Sequence, residues 1–240
     1  MSTQVTKRIM WIISFISLVG TAVAVLFLPD SIPMHRDFAG NIDRWGSRYE
    51  SFIFPAIILL MSFHWNLFVI HYEKKAGKAE DEKEAAEARA NAKVIGIVGL
   101  AMAAVFTIMQ AFELYNDYKM TLPGASVPEI DTARISGIIA GIFLIVLGNF
   151  MTKTRINGTV GVRVGWSMYN DNTWRRSNRF GAYAYIIVGL VSVVLAAVVE
   201  KTLIALVGML VLVLLATGAT IWYAHKVYVQ EINSEKAGKE

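Results

Sequence analysis

No cysteine occurs among the 240 residues. That absence excludes a disulfide scaffold, a thiolate nucleophile and a Cys-ligated metal. Charge is scarce as well: Asp, Glu, Lys and Arg make up 18% of the chain, against about 25% in an ordinary soluble domain. There are only four histidines. None sits in the His-Glu-x-x-His run of a metal-dependent membrane protease. No Ser-His or paired-Asp constellation stands out in the apolar segments, so the chain does not read as an enzyme. Proline is rare too, with five residues. Only Pro55, near a helix start, falls inside an apolar run, so the broken helices of a secondary transporter are not signalled.

Apolar residues are abundant: 55% of the chain, with a mean hydropathy of +0.47. They come in blocks of about 20, the length that crosses a hydrocarbon core of about 30 Å at 1.5 Å per residue. Six such blocks run from Ile9 to Leu28, Ser51 to His71, Val94 to Tyr115, Arg134 to Met151, Phe180 to Val199 and Thr202 to Tyr223. Backbone groups in lipid have to be satisfied within their own segment, so each block is expected to be a helix. The first block is too long for a cleaved signal sequence, and Pro29 and Asp30 follow it where small residues would be needed. The predicted fold is all-α: a polytopic membrane protein with a bundle of six transmembrane helices.

Lys and Arg are distributed unevenly. One side carries Lys7 and Arg8, six cations in 72–93, six in 152–179 and three in the C-terminal tail. The other carries three in 29–50, two in 116–134 and Lys201. The positive-inside rule then puts both termini in the cytoplasm of a bacterial inner or plasma membrane. A net charge of +4 and a pI near 9.2 read as topology signals and contact with anionic membrane lipid, not as direct nucleic-acid binding. The segment 72–93, rich in Ala, Glu and Lys, reads as a solvated helical hairpin extending the second and third spans. On this organisation, 1–93 is an N-terminal two-helix unit with an outer loop, and 94–240 is a four-helix unit with a cytoplasmic Arg/Trp loop over 152–179.

Four places carry candidate chemistry. The outer loop, 28–52, has Pro29 and Pro33 fixing an extended entry and turns at Gly40-Asn41 and Trp45-Gly46. His35, Asp37 and Asp43 are its ligand-type residues. With a single histidine they fall short of a zinc set, so no metal and no cofactor is expected. Gln110 and Glu113 are three apart and share a helical face near the outer end of the third span. A carboxylate there needs a wet or paired setting, which His35, Arg36 or Arg134 could supply. His64, Asn66 and Asn149 are polar groups within spans; joined across helices, His64 and Asn149 could line a polar site. The loop around residues 157–181 is longer than an anchor requires, and its spaced glycines (Gly158, Gly161, Gly165) suggest a shaped backbone. It is expected to form a folded cap that draws Arg163, Trp166, Trp174 and Arg179 together.

These residues also resemble a known family. Gly148-Asn149-Phe150-Met151, Asn157, Gly161-Val162-Arg163, Trp166, Trp174 and Asn178-Arg179-x-Gly181 resemble the signature of the SdpI family of bacterial membrane proteins. Leu28-Pro29-x-x-Ile32-Pro33-x-His35 with Gly40-x-x-Asp43 resembles the small IPxH-type domain that often precedes it. The resemblance implies a six-helix immunity protein that protects the cell from a secreted peptide toxin. It also implies a signalling role, in which the toxin-engaged protein holds a cytoplasmic transcriptional repressor at the membrane. Carried over, the pattern assigns Asn157, Gly161, Arg163, Trp166, Trp174, Arg179 and Gly181 to the inner cap. To the outer side it assigns Pro33, His35 and Asp43, beside which Gln110 and Glu113 stand as further candidates for toxin binding. Two positions depart from the family pattern: Val164-Gly165 replaces Thr-Pro, and Asn178 replaces a histidine. The alternative function is a small transporter or flippase-like protein with a polar site around His64 and Asn149.

Overall fold

The structure, a computed structural model, describes residues 2–36, 42–122 and 130–238. Six helices long and apolar enough to cross a membrane are present: α1 (Thr3–Val25), α2 (Ile53–Gly77), α3 (Glu82–Lys119), α4 (Thr132–Met151), α5 (Asp171–Val198) and α6 (Thr202–Ala237). Between α1 and α2 lies an antiparallel hairpin of β1 (Ser31–Arg36) and β2 (Ile42–Ser47), followed by a 3-10 turn, Arg48–Phe52. The outer loop read as a pair of turns is therefore largely strand. Gly40-Asn41 and Asp37 lie outside the described residues.

Side-chain caps set the helix starts. Asp81 accepts from the Glu84 N–H at 2.7 Å, and Asp131 from the Arg134 N–H at 2.9 Å. Asn170 and Thr173 form a reciprocal capping box. Each relieves N–H groups that have no partner within the helix. Three helices run well past their apolar blocks. α3 begins at Glu82, crosses residue 93 without interruption and ends at Lys119; α5 starts at Asp171; α6 continues to Ala237. The additional turns are rich in Ala, Glu, Lys and Asn.

α1 packs on α2 and α3, α5 packs on α4 and α6, and α3 meets α4. The buried face of α1 is Thr6, Met10, Ser14, Ser17, Thr21 and Val25, spaced three and four apart. Its lipid-facing side exposes Ile12, Phe15, Ile16, Val19 and Val23. Hydroxyls inside and aliphatics outside is the pattern of helix association in lipid, where packing and hydrogen bonds replace the hydrophobic drive. Ser14 and Ser62 hydroxyls meet at 2.7 Å, joining α1 to α2.

α4 and α5 touch backbone to backbone. A Cβ on Gly189 would stand 2.6 Å from the Gly141 carbonyl oxygen, and one on Gly148 would stand 2.7 Å from that of Ala182. Gly141 and Gly148, and Ala182 and Gly189, are each seven apart, so the contact repeats every two turns.

Candidate functional site

At the end of the bundle that bears the hairpin, Arg48 fixes the hairpin base. Its guanidinium donates to the Leu28 carbonyl at 2.8 Å and pairs with Asp30 at 3.2 Å, and its N–H donates to the Asp30 carbonyl. Ile32 is fully buried beneath it. On the hairpin, His35 Nδ1 donates to Asp43 Oδ1 at 2.6 Å, and both side chains are solvent-exposed. Pro33 lies on the same strand, paired with Trp45, which is exposed. Among the described residues no group of three or more metal-ligating side chains occurs.

Gln110 and Glu113 do not act together beside this hairpin. Gln110 is 3% exposed. Its Oε1 accepts from the Ser17 hydroxyl, and its Nε2 donates to Thr21 Oγ1 at 2.5 Å and to the Ser51 carbonyl at 3.4 Å. It therefore braces α1, α3 and the turn before α2 from inside, closed to direct contact with a ligand. Glu113 is exposed, with no hydrogen bond or ion pair among the described residues. Three positions along a helix leave two side chains about 60° apart, enough at the edge of a helix face to bury one and expose the other. Arg134, a suggested partner of Glu113, is engaged elsewhere: it donates to the carbonyls of Ala196, Ala197 and Glu200 at the end of α5.

His64 and Asn149 do not form a polar lining. His64 is exposed on α2, where its Nδ1 donates to the Leu60 carbonyl of its own helix at 2.8 Å. Asn149 is exposed on α4. Each lies on the side of its helix turned away from the bundle.

At the opposite end, residues 152–170 fold into a cap. The Thr154 hydroxyl donates to the Met151 carbonyl at 2.7 Å, and the Thr154 carbonyl accepts from Trp174 Nε1 at 3.1 Å. Arg155 N–H donates to Asn91 Oδ1 on α3 at 2.9 Å, and Gly158 N–H to the Tyr72 hydroxyl on α2 at 3.1 Å. Asn157 closes a tight turn on itself. Its Oδ1 accepts from the N–H groups of Thr159 and Val160, and its Nδ2 donates to the carbonyls of Arg155 and Val160. Such Asx turns let one side chain satisfy backbone groups that have no helix to serve them.

Gly161 follows with φ +127°, a conformation that L side chains rarely adopt. A Cβ there would also lie 2.5 Å from Asn178 Oδ1 and 3.0 Å from the Trp174 ring. The turn directs Val162 N–H to Asn178 Oδ1 at 2.9 Å, while Asn178 Nδ2 donates to the Trp174 carbonyl at 3.0 Å. Trp174 and Asn178 are 2% and 1% exposed. Fully buried Ser167 donates to the carbonyls of Val162 and Val164, and Thr173 donates back to Ser167. Gly181 leaves room for Thr220, Val162 and Met151 to close on α5, each within 3.2 Å of where its Cβ would be. Val160 packs with Val69, Ala92 and Ile95, and Val162 with Met151, Ala182 and Ala224. A single loop thus touches five helices.

The cap also grips the extension of α6. Glu231 accepts from Asn170 Nδ2 at 2.9 Å and Asn172 Nδ2 at 2.6 Å, and Tyr169 donates to Glu235 at 2.9 Å. The exposed Trp166 meets the His225 ring edge-on at 4.7 Å.

Of the predicted cap residues, Asn157, Gly161, Trp174 and Gly181 are brought together. Arg163 and Arg179 are not: both are exposed. Arg163 turns back to the Gly158 carbonyl at 2.5 Å, and Arg179 lies over Tyr183 at 5.9 Å. The expected four-residue convergence does not occur, because the cap is knit by neutral amide and hydroxyl groups that can be buried without the desolvation cost of a guanidinium. Asn178, Ser167, Thr154, Asn91 and Tyr72 are members of this network that the sequence did not single out for it.

These helices and their cap define a multi-pass α-helical membrane protein. Residues 153–224, from the cap to the middle of α6, match the SdpI/YfhL protein family, which bears out the resemblance seen in the sequence. Residues 12–59, covering most of α1, the hairpin and the start of α2, match a domain of unknown function, DUF1648. The chain is similar to the protein named Immunity protein SdpI of Bacillus subtilis (strain 168), 34% identical over 88 residues, which is 37% of this chain and 42% of the relative. The chain thus spans less than half the length of that curated relative. No solved structure matches.

Proposed function

We propose that the protein is an integral membrane immunity or resistance protein that protects the cell from a secreted membrane-active peptide. The observation that carries this reading is the coincidence of the family match, 153–224, with the folded cap and the two helices that follow it. The likeness to a protein named as an immunity protein supports the same reading. On this reading the hairpin face is the outer one. It presents His35, Asp43 and the Pro33 strand to the toxin, with Glu113 as a further exposed carboxylate on the third span. The cap is the cytoplasmic face, where exposed Arg163, Trp166 and Arg179 are available to a transcriptional repressor.

Expression of the chain in a sensitive bacterium, challenged with a panel of secreted membrane-active peptides, tests the proposal. Survival should rise at least tenfold against one of them. Replacing His35 and Asp43 together by Ala should remove that protection while the protein still reaches the membrane. Sensitivity unchanged across the panel would overturn the reading.

A further inference from the structure

A cleft of about 430 Å³ opens beneath the cap, at the seam between the two halves of the bundle. Its size falls within the roughly 300–1,000 Å³ of small-ligand sites. Phe143 and Leu147 of α4 line it, with Trp65 of α2 on one side and Ile221 of α6 on the other. The cap residues 159–164 close one end, and there the cleft has its single charged lining residue, Arg163.

Three observations define the occupant. First, the polar groups deeper in the cleft are already satisfied. Tyr185 and Thr217 hydroxyls meet at 2.8 Å, and Thr217 and Thr220 donate to carbonyls of their own helix. With these hydroxyls engaged and the helix walls otherwise mostly aliphatic and aromatic, the interior suits hydrocarbon; a peptide main chain would enter it with most of its polar groups unsatisfied. Second, the guanidinium at the rim is exposed and has one protein acceptor, the Gly158 carbonyl; no carboxylate pairs with it among the described residues. Its remaining N–H donors match the oxygens of a phosphate. Third, the cap carries exposed Trp166 and Tyr169, the residue types that sit at headgroup level, so the rim lies where a lipid phosphate would be.

We propose that this cleft is a binding site for one anionic phospholipid, with an acyl chain along α4 between Trp65 and Ile221 and its phosphate on Arg163. The site does not rest on the immunity reading, although a bound lipid would occupy Arg163 and leave Trp166 and Arg179 for a repressor; the test below reads lipid binding alone.

Trp65 provides the probe. The full chain is placed in phosphatidylcholine nanodiscs containing an equal mole fraction of either brominated phosphatidylglycerol or brominated phosphatidylcholine, and tryptophan quenching is compared. Phosphatidylglycerol should quench more strongly. That excess should fall by at least half in Arg163→Gln and in Trp65→Phe. It should persist in Arg175→Gln, which removes an exposed cation outside the cleft, and in the presence of added inorganic phosphate. Equal quenching by the two lipids overturns the site. So does an excess that survives Arg163→Gln, and so does one that Arg175→Gln lowers equally, which would mean surface charge alone. Loss of the excess on adding inorganic phosphate would assign Arg163 to the free anion and also overturn it.

Discussion

At the scale of single residues, Asn178 does two tasks with one amide. It accepts from Val162 N–H and donates to the Trp174 carbonyl, so it holds the turn at Gly161 against α5. Asn178→Ala leaves the buried Val162 N–H unpartnered, at about 1–3 kcal/mol. Gly161→Ala forces a side chain into a conformation and a space that both resist it, at a cost on the order of 1–3 kcal/mol. Thermal unfolding in detergent should register both losses; an unchanged midpoint for either would refute the keystone role of this turn. Asn178 was legible in the sequence only as a departure from a family pattern. Its partners are backbone groups 4 and 16 positions away, and nothing in residue type announces such bonds. Gly161 was legible from the close spacing of the loop's glycines, and Trp174 from its place in the family pattern.

Asp131 gives a second prediction at this scale. Burial raises its pKa, but hydrogen bonds from the Thr202 hydroxyl, the Arg134 N–H and the Arg134 guanidinium outweigh that, leaving it below the ordinary carboxylate value. A depressed folded pKa means that the unfolded chain takes up the proton first. The stabilisation is therefore complete above the unfolded pKa of about 4 and disappears as pH falls through the folded value. Asp131→Asn should flatten that acid limb of the stability profile, measured by unfolding between neutral pH and pH 3. An acid limb of unchanged steepness would show that the carboxylate contributes nothing there.

At the scale of elements, the contact between α4 and α5 depends on having no side chain at Gly141 and Gly189. Gly189→Leu drives its Cβ into the Gly141 carbonyl, which is backbone and cannot swing aside. The helices have to part, and the loss should be at least the about 1–3 kcal/mol of an overpacked core. Denaturant unfolding followed by circular dichroism measures it; Gly208→Leu, whose Cβ has only a side chain at 3.7 Å, serves as the tolerant comparison. The six helices were legible because each carries about 20 apolar residues, and lipid leaves a backbone few alternatives. The helical hairpin over 72–93, which extends α2 and α3, was legible from its Ala, Glu and Lys, but the added turns of α5 and α6 were not: they are held by a capping box and by contacts with the cap segment, which hydropathy does not register. The β-hairpin was hidden for a related reason. Its six-residue strands contain proline and alternate poorly, and what holds them is Ile32 buried below and Arg48 tied to the end of α1.

For the whole molecule, the two ends of the bundle differ in kind. One end is small and strand-bearing, and its ionic contacts include the pairs His35–Asp43, Arg44–Glu50, Arg48–Asp30 and Arg134–Asp131. The other gathers the cap, the α2–α3 turn and the α6 extension, tied by Lys7–Glu73, Lys83–Asp171 and the Glu231 amide bonds. The excess of Lys and Arg belongs to the second end, and the positive-inside rule predicts that this end faces the cytoplasm. The lack of cysteine makes this directly testable, since any thiol introduced is the only one in the chain. Trp45→Cys places it on the exposed hairpin, and Lys78→Cys on the turn between α2 and α3. In intact cells a membrane-impermeant maleimide should label the first and spare the second. After permeabilisation both should react. Labelling of Lys78→Cys in intact cells, with Trp45→Cys protected, would invert the molecule and turn the cap outward. The cap would then be the face open to a secreted peptide, and the hairpin the face open to a cytoplasmic partner.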